Sequence, residues 1–169
     1  MGKIEAPTPI HEKMILKDFS CGKVQLDIWL QKRALANERS GASRTYVLCK
    51  GGKAIAYYAL CNGAIVHELA SGKIKRNMPD PIPAMIIARL AVDQNYHKQG
   101  IGKALLKDGI LRILKASKIA GIRVILVHAL DLDAQKFYKS VGFEESPLEE
   151  LTLMITIHEA LSSFKTSDD

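Results

Sequence analysis

The chain has 169 residues, 47% of them hydrophobic, with 24 basic and 18 acidic side chains and a formal net charge of +6. That content suits one domain burying roughly two-thirds of its unfolded surface, and no apolar run approaches the length of a membrane span. Cys21, Cys49 and Cys61 are odd in number and lack CxxC spacing, which points to reduced cytosolic thiols rather than a disulfide framework.

The first residues show no signal-peptide core, and Ala6 stands where a myristoylation site needs Ser or Thr. Residues 1–14, with Pro7 and Pro9, read as an irregular lead-in. Leu26, Trp29, Leu30 and Ala34 fall at i, i+3, i+4 and i+8 and predict one amphipathic helix ending near Ser40-Gly41, with Trp29 in the core. Arg44–Lys50 and Ala54–Ala64 flank Gly51-Gly52 and predict an antiparallel hairpin with a primed turn. Ser71–Pro83 carries Lys73, Lys75, Arg76 and prolines at 79, 81 and 83. Alternate prolines forbid a helix and disfavour a central strand, so an extended loop is expected here.

A central strand, Ala84–Asp93, follows, and then His97-Lys98-Gln99-Gly100-Ile101-Gly102-Lys103. From Gly102 onward Leu106, Ile110, Ile113 and Leu114 recur at helical spacing. Glycines before a helix let the backbone approach a ligand. The first helical turn adds unpaired N–H groups and the positive end of the dipole, so this stretch suits a phosphate or diphosphate. Neither the dinucleotide pattern GxGxxG nor the triphosphate pattern GxxxxGK[ST] is present. Val124–Ala129 reads as a second buried strand. Asp131 or Asp133 then caps a helix with Ala134, Phe137, Tyr138 and Val141 on its inner face, ended by Gly142. Leu151–Ile157 reads as a last strand, His158–Phe164 as a short helix and 165–169 as a frayed tail. His67-Glu68 lacks the second histidine of HExxH, no cluster has metal-ligand spacing, and His128 reads as a hydrogen-bonded histidine or a catalytic one.

His97–Gly102 resembles the acyl-CoA loop of the GNAT N-acetyltransferases, [QR]xxGxG/A, with His97 at the first position. Asp131–Phe143 resembles their second hallmark, NxxAxxFYxxxGF, with Asp131 in place of Asn. FSCG (Phe19–Gly22), LDIWL, YYAL, PDPIP, ARLAVD, LVHALD and SPLEELTLM further resemble one subgroup, the toxins of bacterial type II toxin–antitoxin pairs that acetylate aminoacyl-tRNA. The resemblance implies a single α/β (α+β) GNAT domain over residues 1–169. Its sheet would be mixed, mostly antiparallel and twisted, with splayed central strands and flanking helices. It implies acetyl-CoA as co-substrate and no metal. Backbone groups of Leu90, Ala91 and Val92 would pair with the pantetheine arm, and His97, Lys98, Gln99, Gly100, Ile101, Gly102 and Lys103 would hold the diphosphate. Asp131, Ala134 and Phe137 complete the cofactor set, and Tyr138 holds the position of the general acid.

The implied partners are aminoacyl-tRNA and a ribbon-helix-helix antitoxin, with a homodimer left open and no membrane. If the acceptor is charged tRNA, Lys73, Lys75, Arg76 and Arg89 are candidates to meet its phosphates. An α-amine of pKa about 7.7–8, lowered further by esterification of its carboxyl, needs little help from a base. That agrees with the lack of Glu in Ala84–Val92. The alternatives are an N-acetyltransferase of a small amine or a protein N-terminus, and a non-catalytic binding module or co-repressor with a vestigial pocket.

Overall fold

The computed structural model describes residues 4–164; the tail 165–169, expected to fray, lies outside them. The described residues form β1 (Thr8–Pro9), α1 (Val24–Lys32), α2 (Ala34–Ser40), β2 (Arg44–Lys50), β3 (Lys53–Ile65), α3 (Gly72–Lys75) and β4 (Ile82–Val92). Then come α4 (Ile101–Ala116), β5 (Val124–His128), α5 (Leu132–Ser140), β6 (Glu144–Glu145), β7 (Thr152–Thr156) and α6 (Ile157–Phe164). Strand order is β1-β2-β3-β4-β5-β7-β6. β4 and β5 run parallel, and the pairs β1–β2, β2–β3, β5–β7 and β6–β7 are antiparallel. This is the mixed, mostly antiparallel α/β sheet expected. The chain divides into two compact units, residues 1–61 with 88–109 and residues 62–87 with 110–169.

In the first unit the hairpin forms as read. Gly51 and Gly52 have φ of 58° and 80°, the left-handed pair that a primed turn demands. The lead-in is less irregular than its prolines suggest: Thr8 and Pro9 pair with Val47 and Tyr46. Pro9 lacks an N–H, but Ile10 N–H donates to Thr45 O at 2.9 Å and carries the pairing on. The single helix expected from Leu26 to Ser40 is instead two, broken at Arg33, whose φ of −119° leaves the helical range. Apolar spacing continues unchanged across that break, so periodicity alone could not mark it. α2 ends at Gly41, in the left-handed conformation at φ 82°.

Tyr57 and Tyr58 are neighbours on β3 and point to opposite faces, and both are fully buried. The Tyr57 ring stacks on Trp29 with centroids 5.9 Å apart and meets Phe19 edge-on at 5.5 Å; its hydroxyl donates to Leu26 O at 2.7 Å. Around this trio lie Leu30, Ala34, Val47 and Ala91. Tyr58 stacks on Tyr46 at 5.2 Å and donates to Asp108 Oδ2 at 2.5 Å. Its ring lies so close to α4 that a Cβ added at Gly109 would sit 3.1 Å from it.

In the second unit β5 is the buried middle strand. Its parallel register with β4 runs from Ala84↔Val124 to Ile87↔Val127, and its antiparallel register with β7 from Val124↔Thr156 to His128↔Thr152. Ile65, Ile74, Ile82, Val124, Leu126 and Met154 form its core. The loop expected over Ser71–Pro83 contains a short helix, α3, before the first proline. Ile74 is 1% exposed there, and Arg123 donates from Nε to Ile74 O at 3.1 Å and from Nη2 to Lys73 O at 2.9 Å, capping the last carbonyls. A residue 49 positions away stabilises this turn, which no local signal reveals. β4 also starts earlier than expected and takes in Pro83. The register with β5 begins only at Ala84, so the missing Pro83 N–H interrupts none of that pairing, and Pro83 O accepts from Arg123 N–H at 3.0 Å. β6 carries no apolar pattern and is held by pairing with Leu153 and Met154. Among the described residues no helix is long and apolar enough to cross a membrane.

Candidate functional site

In the first unit, β4 ends at a buried carboxylate. Asp93, 6% exposed, accepts from Ser20 N–H at 3.0 Å and from Asn95 N–H at 2.9 Å, while its own N–H donates to Ile55 O at 2.8 Å. These bonds turn the chain into a single 3₁₀ turn, Gln94–Tyr96, braced by Gln94 N–H on Ser20 O at 2.8 Å. His97 follows, and its Nε2–H donates back to Val92 O at 2.7 Å, fixing that tautomer. The residue that departs from the acyl-CoA loop pattern is thus a strut between the loop and its strand.

Lys98 (φ 63°) and Gly100 (φ 77°) are both left-handed, which coils the backbone tightly into α4. A Cβ at Gly100 would meet nothing within 4 Å, so the glycine leaves open space in front of the loop. Ala104 N–H is bonded to Gly100 O at 3.2 Å, and the preceding N–H groups of the turn lack an intrahelical acceptor. Lys98, Gln99, Gly100 and Lys103 are exposed, and Ile101 and Gly102 half-exposed. Backbone donors, a helix N-terminus and two exposed lysines lie in one short segment, which fits an anionic diphosphate. On β4, Leu90 and Val92 are half-exposed, whereas Ala91 is buried in the core with Trp29, leaving only its backbone for a ligand. Arg89 is half-buried, its guanidinium 4.3 Å above the Trp29 ring.

In the second unit, α5 is capped by Asp131, not Asp133: Oδ1 accepts from Ala134 N–H at 2.9 Å. Ala134 and Phe137 are half-exposed on this helix. Tyr138 is 6% exposed, its ring edge-on to Phe137 at 5.3 Å and to Phe143 at 5.6 Å. Its hydroxyl makes no hydrogen bond among the described residues. Burial pushes that hydroxyl well above the ordinary tyrosine range, so it stays protonated at neutral pH and keeps a proton to donate. His128 Nδ1 lies 3.2 Å from Thr152 Oγ1, whose proton goes to Glu149 Oε2 at 2.8 Å; the histidine takes the bland, hydrogen-bonded place.

The three cations of the Ser71–Pro83 segment are unequal. Lys73 is held by Glu144 Oε1 at 2.5 Å and Glu159 Oε2 at 3.3 Å. The hydrogen bond to Glu144 raises the lysine; Glu159, which burial would raise, is held down by bonds from Thr156 and Lys73. Lys75 and Arg76 are exposed. Sequence reasoning passed over Asp93 and His97 as structural parts of the loop. The signal available for Asp93 was an Asp two residues before Asn at the end of an apolar run, an Asx-turn pattern.

Residues 41–145 match the acetyltransferase (GNAT) domain family. Over 160 residues, 95% of this chain and 96% of the relative, the chain is 42% identical to the tRNA-acetylating toxin of Mycobacterium tuberculosis (strain ATCC 25618 / H37Rv). Among solved structures, AtaT complexed with acetyl-methionyl-tRNAfMet superposes with a TM-score of 0.86 at 26% identity, covering 95% of this chain and 99% of that one. AtaTR bound with acetyl-CoA superposes at 0.80 and 27% identity, covering 94% and 97%. The strand, glycine-turned loop and helix of the first unit and the capped tyrosine helix of the second are thus those of a known enzyme group, and the chain belongs to the GNAT acetyltransferase family.

Proposed function

We propose that the protein is a toxin that acetylates the α-amine of aminoacyl-tRNA and so blocks translation, working as a single catalytic domain in the cytoplasm. The observation that carries this reading is the 42% identity over nearly the whole chain to a relative named for acetylating tRNA. Acetyl-CoA, when bound, supplies the thioester carbonyl that the amine attacks. The loop N–H groups from His97 to Lys103, with Lys98 and Lys103, would hold its diphosphate, and the open space at Gly100 fits that close approach. Backbone groups of Leu90, Ala91 and Val92 would pair with the pantetheine arm as an added strand. Asp131 caps α5 and so fixes the start of the helix that carries Ala134 and Phe137, the remaining residues proposed for the cofactor.

Tyr138 would give its proton to the departing thiolate. The hydroxyl is protonated at neutral pH and makes no hydrogen bond among the described residues, so the proton is not committed to another acceptor there. The neutral fraction of an esterified α-amine near pH 7 removes the need for a dedicated base. Lys75 and Arg76 would meet acceptor phosphates, while Lys73 serves its two carboxylates first. A ribbon-helix-helix antitoxin with a tail that folds on binding is the proposed inhibitor, and a homodimer the proposed assembly; AtaT has been solved bound to the C-terminus of its antitoxin AtaR.

Incubating the purified protein with acetyl-CoA and charged total tRNA is expected to yield N-acetylated aminoacyl esters. Transfer confined to small free amines or peptide N-termini would replace the tRNA reading with that acceptor class. Gly100→Asp is expected to abolish acetyl-CoA binding in calorimetry. A Cβ there meets nothing within 4 Å, so the expected effect comes from the positive φ, the filled approach and the repelled diphosphate. Tight binding by this variant would move the diphosphate elsewhere. Tyr138→Phe should keep the packing against Phe137 and Phe143 and slow single-turnover transfer by ~10²–10⁴. A fall of less than about threefold at matched melting temperature would make Tyr138 a packing residue. Expression without a neighbouring antitoxin frame should arrest growth, and harmless accumulation of folded protein would count against a toxin.

A further inference from the structure

Arg89 is half-buried and, among the described residues, makes no hydrogen bond and no ion pair. What holds it is a face. Its guanidinium centre lies 4.3 Å from the centroid of the Trp29 ring, a cation–π contact. A guanidinium carries five N–H donors in its plane, and a contact with a ring face uses up none of them as conventional hydrogen bonds. Donors on a half-buried cation are costly to leave unmatched, and the group that completes such a fork is a carboxylate or a phosphate.

The platform itself is rigid. Trp29 is 8% exposed and stacks, 12° from parallel, on Tyr57, whose hydroxyl is tied to Leu26 O on the same helix α1 as Trp29. Phe19 closes the edge of Tyr57. Arg89 sits on β4 four residues before Asp93, whose hydrogen bonds fix where that strand ends. Neither ring on this face needs a cation for its packing, and among the described residues the cation finds no anion.

We infer that Trp29 is a positioning residue that holds the Arg89 guanidinium edge-out as a receptor for a phosphate of the acceptor tRNA. The inference rests on the acceptor being charged tRNA. It makes planarity, and not charge alone, the property that matters at position 89. A lysine there would keep the charge but lose the flat face that reads Trp29 and the fork that reads phosphate.

The test is steady-state acetyl transfer by the full chain, varying charged tRNA and acetyl-CoA separately at fixed salt. Arg89→Lys should raise the KM for tRNA about tenfold with the KM for acetyl-CoA unchanged. Trp29→Leu should raise the tRNA KM comparably, Trp29→Phe should recover part of the loss, and adding Arg89→Lys to Trp29→Leu should cost little more. A merely structural Trp29 would instead move both KM values and kcat together and be indifferent to the residue at 89. Should Trp29→Leu fail to fold, Arg89→Lys decides alone, since it leaves the aromatic core intact. An unchanged tRNA KM in Arg89→Lys overturns the inference while the acetyltransferase reading stands. A rise confined to the KM for acetyl-CoA overturns it too, by assigning the fork to the cofactor's phosphates. Wild-type protein that acetylates no tRNA overturns the proposed function, and the phosphate assignment falls with it.

Discussion

The place where β4 stops is set by a buried carboxylate, and the geometry of the loop follows from it. Asp93 can lie in the interior because backbone donors reach both oxygens, Ser20 N–H on one and Asn95 N–H on the other. Ser20 belongs to a segment remote in sequence, so the strand end is pinned to the body of the first unit and not merely to its own turn. One residue of slippage would send each side chain of β4 to the opposite face, taking Ala91 out of the core. His97 then ties the start of the loop to Val92 O, so strand end and loop form one hydrogen-bonded frame.

Legibility in the sequence followed the range of the interactions. The hairpin, α4, β5 and the capped α5 are set by patterns within a few residues, and they lie where Gly51-Gly52, the Leu106–Leu114 spacing and Asp131 put them. The break at Arg33, the helix α3 and the strand β6 depend on backbone geometry or on partners far along the chain, Arg123 for α3 and Met154 for β6. For the candidate site, the glycine-turned loop and the helix that carries Tyr138 were legible as elements, and their proposed roles came from the family resemblance. The interactions that hold them were not legible, because a pattern names the residues facing a ligand and is silent about those behind.

The positive charge of the chain is not one field. Lys73 and Lys139 are paired with glutamates and contribute little beyond their own neighbourhoods. Lys98 and Lys103 are exposed beside backbone donors that add to their effect. Arg89, over the Trp29 ring and without an ion pair among the described residues, is partly withdrawn from water, where a charge is felt further. The surplus counted in the sequence therefore overstates some cations and understates others.

Tyr58 and Gly109 fix how closely α4 can lie against the first unit. The ring packs between Tyr46 and the glycine, its hydroxyl donating to Asp108, so even a methyl group at 109 would push it by a few tenths of an ångström. A larger residue at 109 therefore calls for a change at 58, and a residue at 58 without a hydroxyl takes a hydrogen bond away from Asp108. Positions 58, 108 and 109 are thereby coupled, each setting what the others tolerate, and because α4 starts at the glycine-turned loop, that coupling bears on how the loop is set.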